Sequence, residues 1–333
     1  MKICYLGCHS VLEYDELKMF TQIEGLEWFS TGRYFNPEDD YKDRPPLNFP
    51  VDKKHYTAWS IAKGKWNNKD FLDRFDVLYF MHRPDDVFDN WDLLKTRKIV
   101  WRTIGQNTSD IELRLQQLRA ENPNLKIVRY STGERRHKNY AGEDALIRFS
   151  KDSKVYGSWK GSIRKVLNVS QSMKDRGDAC GWDTFSQIAE KVPCQLVGNG
   201  NQSAGDLWIG RSLLYEELLQ AYRDYAAYLY TGTKPASYCL NFIEAWMTGI
   251  PVVALGPALA NGPEDLYEVN QLISYGKDGY WSDYPDDIVR ICTMLLEQPE
   301  VAKKVGEAGR ARAIELFDES VIQPQWVEFF KTL

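Results

Sequence analysis

Short apolar segments alternate with segments of helical periodicity along the chain, and this alternation constrains the fold more than any other feature. A short apolar run predicts a buried strand, and strands that alternate with helices predict βαβ units with parallel sheets. Two series of such units occur, which predicts an α/β fold of two doubly wound, Rossmann-like domains. The predicted strands are Ile3–Leu6, Val77–Met81, Ile99–Arg102, Ile127–Tyr130 and Leu146–Phe149, then Val166–Val169, Gln195–Val197, Tyr228–Tyr230, Pro251–Leu255 and Leu272–Ser274. The predicted helices are Leu12–Ile23, Asp110–Ala120, Thr184–Lys191, Leu213–Tyr225, Asn241–Thr248 and Asp286–Glu297.

The boundary between the domains is predicted in Ser150–Ser162, which is rich in Gly, Ser and Lys and lacks periodicity. We therefore expect an N-terminal domain over residues 1–155 and a C-terminal domain over residues 156–317. The aromatic tail, residues 318–333, is expected to form a helix that returns to the N-terminal domain. Tyr34–Tyr56 is polar and proline-rich and predicts a long surface loop. Doubly wound domains that face each other bind ligands at the carboxyl ends of their strands, so a cleft there is the expected site.

Composition and charge exclude several classes of protein. The 333 residues are 43% hydrophobic and 27% charged, which indicates ordered globular domains. A net charge of −5 argues against a protein that coats nucleic acid, although a local basic groove stays open. Six scattered cysteines without a CxxC pair predict reduced thiols and no zinc site. No signal peptide or membrane-spanning run is recognisable, so we expect a cytoplasmic protein, with peripheral membrane contact left open.

The segment Tyr238–Ala254 predicts a loop, a helix that begins near Asn241, a glycine stop at Gly249 and the buried strand Pro251–Leu255. Free backbone N–H groups and the helix dipole favour an anion at such a helix start. Glu244, expected in the first turn, can accept hydrogen bonds from sugar hydroxyls. A phosphate site beside such a carboxylate suits a nucleotide-sugar.

This segment resembles the signature of the retaining glycosyltransferases of family four, which have the two-domain GT-B fold. The family has a Glu, a loop, a second Glu and an Ala-Met-Ala-x-Gly-x-Pro-Val-Val tail; here the loop is Ser237–Leu240 and the tail is Ala245–Val253. By this resemblance Glu244 binds the ribose. The first Glu, which would bind the donor sugar, is replaced by Ala236, so the sugar stays open, with Ser237 or Asn241 as substitutes. The donor-binding residues that the resemblance implies here are Ser237, Tyr238, Cys239, Leu240, Asn241 and Glu244.

Val166–Gly177 resembles another motif of the family, a strand and loop whose Arg and Lys contact the donor diphosphate. A diphosphate needs cations or N–H nests within reach. Arg176, at the family's Lys position, and Lys174 are the cations of this loop and the predicted catalytic cations; the alternative is a solvated basic turn. Gly198 and Gly200, at the exit of the next strand, allow either close approach of the donor or only a tight turn.

The N-terminal domain offers acceptor-side candidates where its predicted strands end. Gly7 and His9 follow the first strand, His82 ends the second, and Arg102 and Gln106 end the third. His82 is the predicted catalytic histidine, because the family often has a His near the reacting sugar at a comparable place; capping or packing is the alternative. The alternative for His9 is the role of a turn residue, and the alternative for Arg102 is an interdomain salt bridge.

The resemblance implies a hexosyl- or pentosyltransferase that moves a sugar from a nucleoside-diphosphate sugar to an acceptor hydroxyl, with retention by front-face substitution. The donor is a co-substrate, and neither a cofactor nor a metal is expected. The acceptor is a saccharide, a lipid-linked saccharide or another hydroxyl compound. The run Glu134–Lys138 predicts an exposed loop, or a contact with a phosphorylated acceptor, a membrane surface or nucleic acid.

Two other functions stay open at this point. One is a catalytically inactive nucleotide-sugar-binding protein, for which Ala236 is the motive. The other is a nucleotide-sugar epimerase on the same fold, which would need carboxylates that flank the sugar. Neither a P-loop motif nor a GxSxG elbow occurs in the chain.

Overall fold

The computed structural model of the protein describes residues 1–30, 47, 57–58, 68–205 and 212–333. The chain divides into two compact units, called here unit 1 (Met1–Ser150 with Ile322–Leu333) and unit 2 (Lys151–Val321). Each unit contains one sheet of parallel strands with helices along the chain between them. The predicted α/β class with two parallel sheets is confirmed. The loop predicted at Tyr34–Tyr56 falls almost entirely outside the described residues.

The described residues of unit 1 form a six-stranded sheet. Its strands are β1 (Lys2–Leu6), β2 (Glu27–Ser30), β3 (Val77–Met81), β4 (Ile99–Arg102), β5 (Leu125–Arg129) and β6 (Ala145–Leu146). Its described helices are α1 (Ser10–Phe20), α2 (Lys69–Leu72), α3 (Pro84–Phe88), α4 (Trp91–Leu94) and α5 (Ser109–Glu121). The strand order is β2-β1-β3-β4-β5-β6, which reverses between β1 and β3. The loops after β1 and β3 therefore flank the switch point, where doubly wound sheets bind their ligands.

In unit 2 the described residues form a five-stranded sheet. Its strands are β7 (Ile163–Val169), β8 (Cys194–Val197), β9 (Tyr225–Tyr230), β10 (Val252–Leu255) and β11 (Tyr280–Ser282). Its described helices are α6 (Met173–Arg176), α7 (Trp182–Ala189), α8 (Tyr215–Asp224), α9 (Leu240–Thr248), α10 (Pro257–Ala260), α11 (Val269–Leu272), α12 (Pro285–Glu297) and α13 (Pro299–Phe317). The order β11-β10-β9-β7-β8 reverses between β7 and β9, so the loops after these two strands flank the second switch point.

The central strands are apolar along their whole length because both faces of a parallel sheet are covered. All five residues of β3 are buried, and so are all four of β10. In unit 1, Phe80 and Trp101 of neighbouring strands join the same apolar cluster as Leu115 of α5. The continuous apolar runs that predicted these strands are thus the consequence of burial on two sides.

The chain ends in helix α14 (Glu319–Phe330), which runs from unit 2 into unit 1. Its Trp326 is fully buried in unit 1, with its ring centroid 4.9 Å from that of Phe20 and 5.5 Å from that of Phe330. Aromatic pairs at these distances add to the burial of apolar surface. The aromatic spacing of the tail is therefore the buried face of one helix. No helix among the described residues is long and apolar enough to cross a membrane.

Two predicted strands differ from the observed elements, and one observed strand was not predicted. Leu272–Ser274 was expected to be a strand, but Leu272 ends α11 and the edge strand is Tyr280–Ser282 instead. The strand expected at Leu146–Phe149 is only the two-residue β6. Strand β2 was not predicted at all. All three are short edge segments, in which periodicity cannot separate a strand from a helix or a turn.

Candidate functional site

The switch point of unit 2 is framed by two loops that Asn201 joins. Its Nδ2 donates to the carbonyl of Ser170 (2.7 Å) and to that of Gly198 (2.9 Å), and its Oδ1 accepts from the N–H of Met173 (2.9 Å). The N–H of Ser172 also donates to the carbonyl of Asn199 at 2.7 Å. The loops after β7 and β8 are thus held as one piece, and this sets the start of α6. Asn201, which stands directly after the second glycine, was not predicted as a site residue from the sequence.

The two predicted donor-site glycines are required by this loop packing. Gly198 has φ +131° and Gly200 has φ +72°, backbone conformations that side chains with a Cβ rarely adopt. A Cβ on Gly198 would collide with the carbonyl of Ser170, and a Cβ on Gly200 would collide with the hydroxyl of Ser172. Of the two explanations left open by the sequence, the tight turn is therefore seen directly. Close approach of a donor stays a prediction.

Helix α9 begins at the switch point, beside the end of β7. Asn241 in its first turn donates from Nδ2 to the carbonyl of Val169 (2.7 Å), and its Oδ1 is buried without a partner. The hydroxyl of Tyr230 accepts from the N–H of Cys239 at 3.0 Å. No described side chain caps this helix, so its N-terminal N–H groups are not covered by a capping oxygen. Gly249 with φ +92° ends the helix, as the sequence predicted.

The predicted donor loop contributes unequally to this edge. Ser237 and Tyr238 are buried; Tyr238 packs against Phe317, with ring centroids 5.5 Å apart. Cys239 and Leu240 are only half-buried. Cys239 and Leu240 are therefore the residues of this loop that lie nearest to solvent.

The two predicted catalytic cations lie on α6, at the exit of β7. Lys174 and Arg176 are both exposed. The Lys174 ammonium stands 5.7 Å from the ring centroid of Trp182, and Arg176 reaches the carbonyl of Gln171 only at 3.5 Å. Neither cation pairs with a described carboxylate, and their contact with a donor diphosphate stays a prediction.

Glu244 lies in the second turn of α9, one turn later than predicted, and it is only 5% exposed. Its Oε1 accepts from the Lys151 ammonium (2.5 Å) and from the Tyr156 hydroxyl (3.2 Å), and its Oε2 accepts from the Tyr222 hydroxyl (3.1 Å). The carboxylate predicted to bind ribose is thus already paired inside unit 2. Lys151 lies in the segment that the sequence predicts to be the domain boundary, and no sequence signal pairs it with Glu244.

In unit 1, the loop after β1 is held by its own helix and by β3. His9 caps α1, because its Nδ1 accepts from the N–H of Leu12 at 3.4 Å. The carbonyl of Gly7 accepts from Arg83 Nη1 at 3.0 Å, and a Cβ on Gly7 would press on the Glu13 carboxylate. The turn role left open for His9 is observed. Its contact with an acceptor, and that of Gly7, remain predictions.

His82 stands at the end of β3 with an unusual backbone. Its φ is +43°, a left-handed conformation that non-glycine residues adopt only where the surroundings impose it, often at functional sites. The ring is half-buried, with Nδ1 3.0 Å from Asn107 Oδ1 and its centroid 6.2 Å from that of Trp101. Burial lowers the pKa of His82 below its ordinary value, against the opposing effects of Asn107 and Asp85. The neutral imidazole is therefore favoured near neutral pH.

Behind His82 lies a chain of buried polar groups that the sequence did not reveal. Asn107 Nδ2 donates to Glu112 Oε1 at 2.5 Å, and Arg129 binds both oxygens of Glu112 at 2.6 and 2.7 Å. Glu134 follows, with Oε1 3.9 Å from Arg129 Nη1 and Oε2 2.8 Å from the Thr103 hydroxyl. Burial raises the pKa of Glu134 to about 7, although Arg129 and Thr103 act against it.

The run Glu134–Lys138 is not an exposed loop throughout, as had been expected. Glu134 and His137 are buried, and Thr132–Arg136 forms a 3-10 helix. Only Arg135, Arg136 and Lys138 are exposed. Glu134 belongs to the polar chain behind His82, whereas the three exposed cations of the run face solvent.

Arg102, predicted as an acceptor contact or an interdomain salt bridge, is instead fully buried within unit 1. Its Nε donates to Glu16 Oε1 (2.9 Å), and Nη1 donates to the carbonyl of Ile147 (2.6 Å). Glu16 also accepts from the hydroxyls of Tyr5 and Tyr79, both at 2.8 Å. Arg102 is therefore part of the buried polar network of unit 1 and is not an acceptor contact. Gln106 is exposed in the loop after β4 and stays an acceptor-side prediction.

Across the described ranges, no group of three or more His, Cys, Asp or Glu side chains is arranged to hold a metal ion. Burial raises the pKa of the Cys194 thiol to about 12, so this cysteine stays protonated.

Comparison with known proteins shows the fold. No protein-family model matches the chain, and no curated protein matches it. Solved structures match over both units. Sucrose-phosphate synthase from Thermosynechococcus elongatus has a TM-score of 0.70 and 13% identity, covering 100% of this chain and 98% of its own. Anabaena HepE in complex with UDP-glucose has a TM-score of 0.68 and 15% identity, covering 100% of both chains. A glycosyltransferase from Rickettsia africae has a TM-score of 0.67 and 13% identity, covering 99% of this chain and 98% of its own. The predicted GT-B fold is confirmed.

Proposed function

We propose that the protein is a glycosyltransferase that uses a nucleoside-diphosphate sugar. The observation that carries this proposal is the build of the switch point in unit 2. An uncapped helix start, a glycine-bearing loop pair and two exposed cations share one edge of the sheet. Helix N-termini and cations together suit a diphosphate. The similar HepE structures hold UDP and UDP-glucose, which supports a donor of this class.

In the proposed mechanism the sugar is transferred with retention by front-face substitution. The bond between the anomeric carbon and the β-phosphate oxygen breaks, and its electron pair stays on the leaving diphosphate. The acceptor hydroxyl attacks from the same face, and its proton passes to the leaving phosphate, so no enzymic base is obligatory. Arg176, Lys174 and the first N–H groups of α9 would stabilise the charge that grows on the diphosphate, which is where preorganised electrostatics contribute most.

Glu244 remains the proposed ribose partner, under a condition that the structure makes explicit. Its carboxylate accepts from Lys151, Tyr156 and Tyr222. A carboxylate offers about four acceptor positions. A ribose hydroxyl must therefore either join these donors or displace one of them.

The engaged carboxylate of Glu244 and the alanine at position 236 favour a second candidate, a nucleotide-sugar-binding protein without transferase activity. Ala236 lacks the carboxylate that would hold the donor sugar, and Glu244 is engaged by Lys151. Such a protein would bind the diphosphate at α6 and α9 but would release no free nucleotide. The two candidates share the donor site and differ only in turnover.

The test begins with a panel of UDP-, GDP- and ADP-sugars, measured by thermal shift and by release of the free nucleoside diphosphate. We expect at least one donor to raise the melting temperature. Arg176→Ala should weaken its binding about tenfold or more, because a charge-assisted hydrogen bond contributes about 1.5–3 kcal/mol. Arg164→Ala is the matched control, since Arg164 is also exposed but lies near the amino end of β7.

No thermal shift with any of the donors would refute the donor site, and so would equal losses in the two arginine variants. Binding without nucleotide release, with a panel of mono- and oligosaccharide acceptors present, would select the inactive binding protein.

A further inference from the structure

The buried polar chain behind His82 has a direction, because each member can only donate or accept at a given atom. Glu112 is the fixed end. Its two oxygens accept from both Nη atoms of Arg129, from the N–H of Ala141 at 2.8 Å and from Asn107. Burial acts to raise the pKa of Glu112, but the hydrogen bonds and charge of Arg129 outweigh it and hold the pKa below its ordinary value. Glu112 is therefore an ionised group that only accepts hydrogen bonds.

This end decides which way the Asn107 amide points. The Asn107 atom at 2.5 Å from Glu112 Oε1 has to be a donor, so it is Nδ2 and not Oδ1. The opposite atom of the amide is then the carbonyl oxygen, and it lies 3.0 Å from His82 Nδ1. An oxygen without a proton can only accept. His82 Nδ1 must therefore carry the proton, and in the neutral ring Nε2 carries a lone pair.

We propose that Asn107 is the positioning residue of His82: it fixes the Nδ1–H tautomer, so that Nε2 accepts a hydrogen bond from a hydroxyl group of the sugar substrate. Two further features, one of the backbone and one of packing, hold the ring in this orientation. The left-handed backbone of His82 fixes the root of the side chain, and the edge-on contact with Trp101 limits rotation of the ring. The hydroxyl-binding half of this inference rests on the proposed function, whereas the tautomer does not.

The chain is also rigid at its far end, which a positioning device requires. Asn107, Glu112 and Arg129 are all fully buried. The Arg129 guanidinium lies 4.7 Å from the ring centroid of Tyr140, and its Nε donates to the carbonyl of Gly142 at 3.1 Å. Every bond in the chain from Arg129 to Asn107 is made to a charged group, and such bonds are the stronger class.

The experiment reads the tautomer directly. The protein has only four histidines, so nitrogen-15 NMR of histidine-labelled protein gives signals from few rings. The signals that disappear in His82→Asn are those of His82. At about pH 8, where imidazole is neutral, we expect the Nδ1–H pattern for His82. In Asn107→Leu, which removes the acceptor but keeps the volume, the pattern should shift towards Nε2–H. Asn124→Leu makes the same substitution at an exposed site and should leave it unchanged.

Sugar transfer by Asn107→Leu should fall about tenfold in kcat, the equivalent of one hydrogen bond lost on the way to the transition state. An Nε2–H tautomer in the unmodified protein would overturn the inference. So would an unchanged His82 spectrum in a folded Asn107→Leu variant, or a His82→Ala variant that transfers sugar at the full rate. If the unmodified protein transfers no sugar from any donor, the proposed function fails, and the NMR spectrum alone then decides whether Asn107 sets the tautomer.

Discussion

The buried pair of Lys151 and Glu244 gives the sharpest prediction, because it decides how the most conspicuous carboxylate of the chain is used. The two side chains are 2% and 7% exposed, and Nζ lies 2.5 Å from Oε1. At an effective dielectric constant of about 20, the attraction at this distance is roughly 6–7 kcal/mol. Desolvation of the two charges cancels a large part of it, so loss of one partner typically costs about 3–5 kcal/mol.

Lys151→Met removes the ammonium and keeps most of the stem. The Tyr156 and Tyr222 hydroxyls still solvate Glu244, so we expect the lower end, about 3 kcal/mol. For a unit of this size the unfolding midpoint should fall by about 6–12 °C. Glu244→Gln should cost a similar amount, since it leaves the Lys151 charge buried without a counter-charge.

The double variant Lys151→Met with Glu244→Gln separates the pair from its surroundings. Replacing both partners of a buried ion pair is often neutral, so the double variant should lie within about 1 kcal/mol of the original protein. Differential scanning calorimetry of the unit 2 transition measures all four proteins. Lys154→Met is the control, because Lys154 is exposed in the same segment and should shift the free energy of unfolding by less than about 0.5 kcal/mol.

Two results would refute this reasoning: an unchanged midpoint in Lys151→Met, or a loss in the double variant equal to the sum of the single losses. The double variant also tests the ribose prediction without a loss of stability. If Glu244 binds ribose, donor affinity should fall in a protein that is otherwise stable. Donor affinity equal to that of the original protein would remove Glu244 from the site.

Two further predictions concern a turn and a titrating group. Gly198→Ala should destabilise unit 2 by about 1–3 kcal/mol or more, because the added methyl group would collide with the Ser170 carbonyl. Gly205 also has a positive φ but lies in open space, so Gly205→Ala should lose only the part of the free energy of unfolding that comes from the strained backbone. Thermal melts compare the two variants, and equal losses would exclude the collision. The pKa of Glu134 is about 7 in the folded protein, against 4.5 for a free side chain. The stability that its neutral form contributes is therefore complete below about pH 4.5 and is lost as the pH rises through about 7. The free energy of unfolding should fall by roughly 3 kcal/mol in all. Unfolding free energies at about pH 5 and pH 8 should show this decline, and Glu134→Gln should remove it; an undiminished decline in that variant would assign it to another group.

Much of the fold could be predicted because it is encoded in short windows of sequence. The apolar run of β3 and the helix stop at Gly249 are found where periodicity and turn chemistry place them. A buried parallel strand must be apolar throughout, and a helix that ends in a left-handed residue favours glycine, so these signals depend only on neighbours along the chain. The short edge elements, such as β2 and β11, lack enough periodic residues to be recognised.

In the candidate site, too, the features that depend on neighbours along the chain were predictable and those that depend on distant residues were not. The placement of Arg176 and Asn241 near strand ends followed from the order of elements, since the carboxyl ends of parallel strands share one edge of a sheet. The partners of the buried charges did not follow. Glu244 pairs with a lysine 93 residues away, and Arg102 pairs with Glu16 across 86 residues.

The sequence by itself determined the two-sheet α/β architecture, helix α9 and the loops that carry the candidate residues, because these depend on local periodicity and on glycine. Only the tertiary structure decided which polar side chains face a ligand and which face each other. A buried polar group must find a partner, and that partner is whichever group the packed chain brings within hydrogen-bond distance. The tautomer of His82 is set in this way, by a carboxylate that no sequence pattern connects to it.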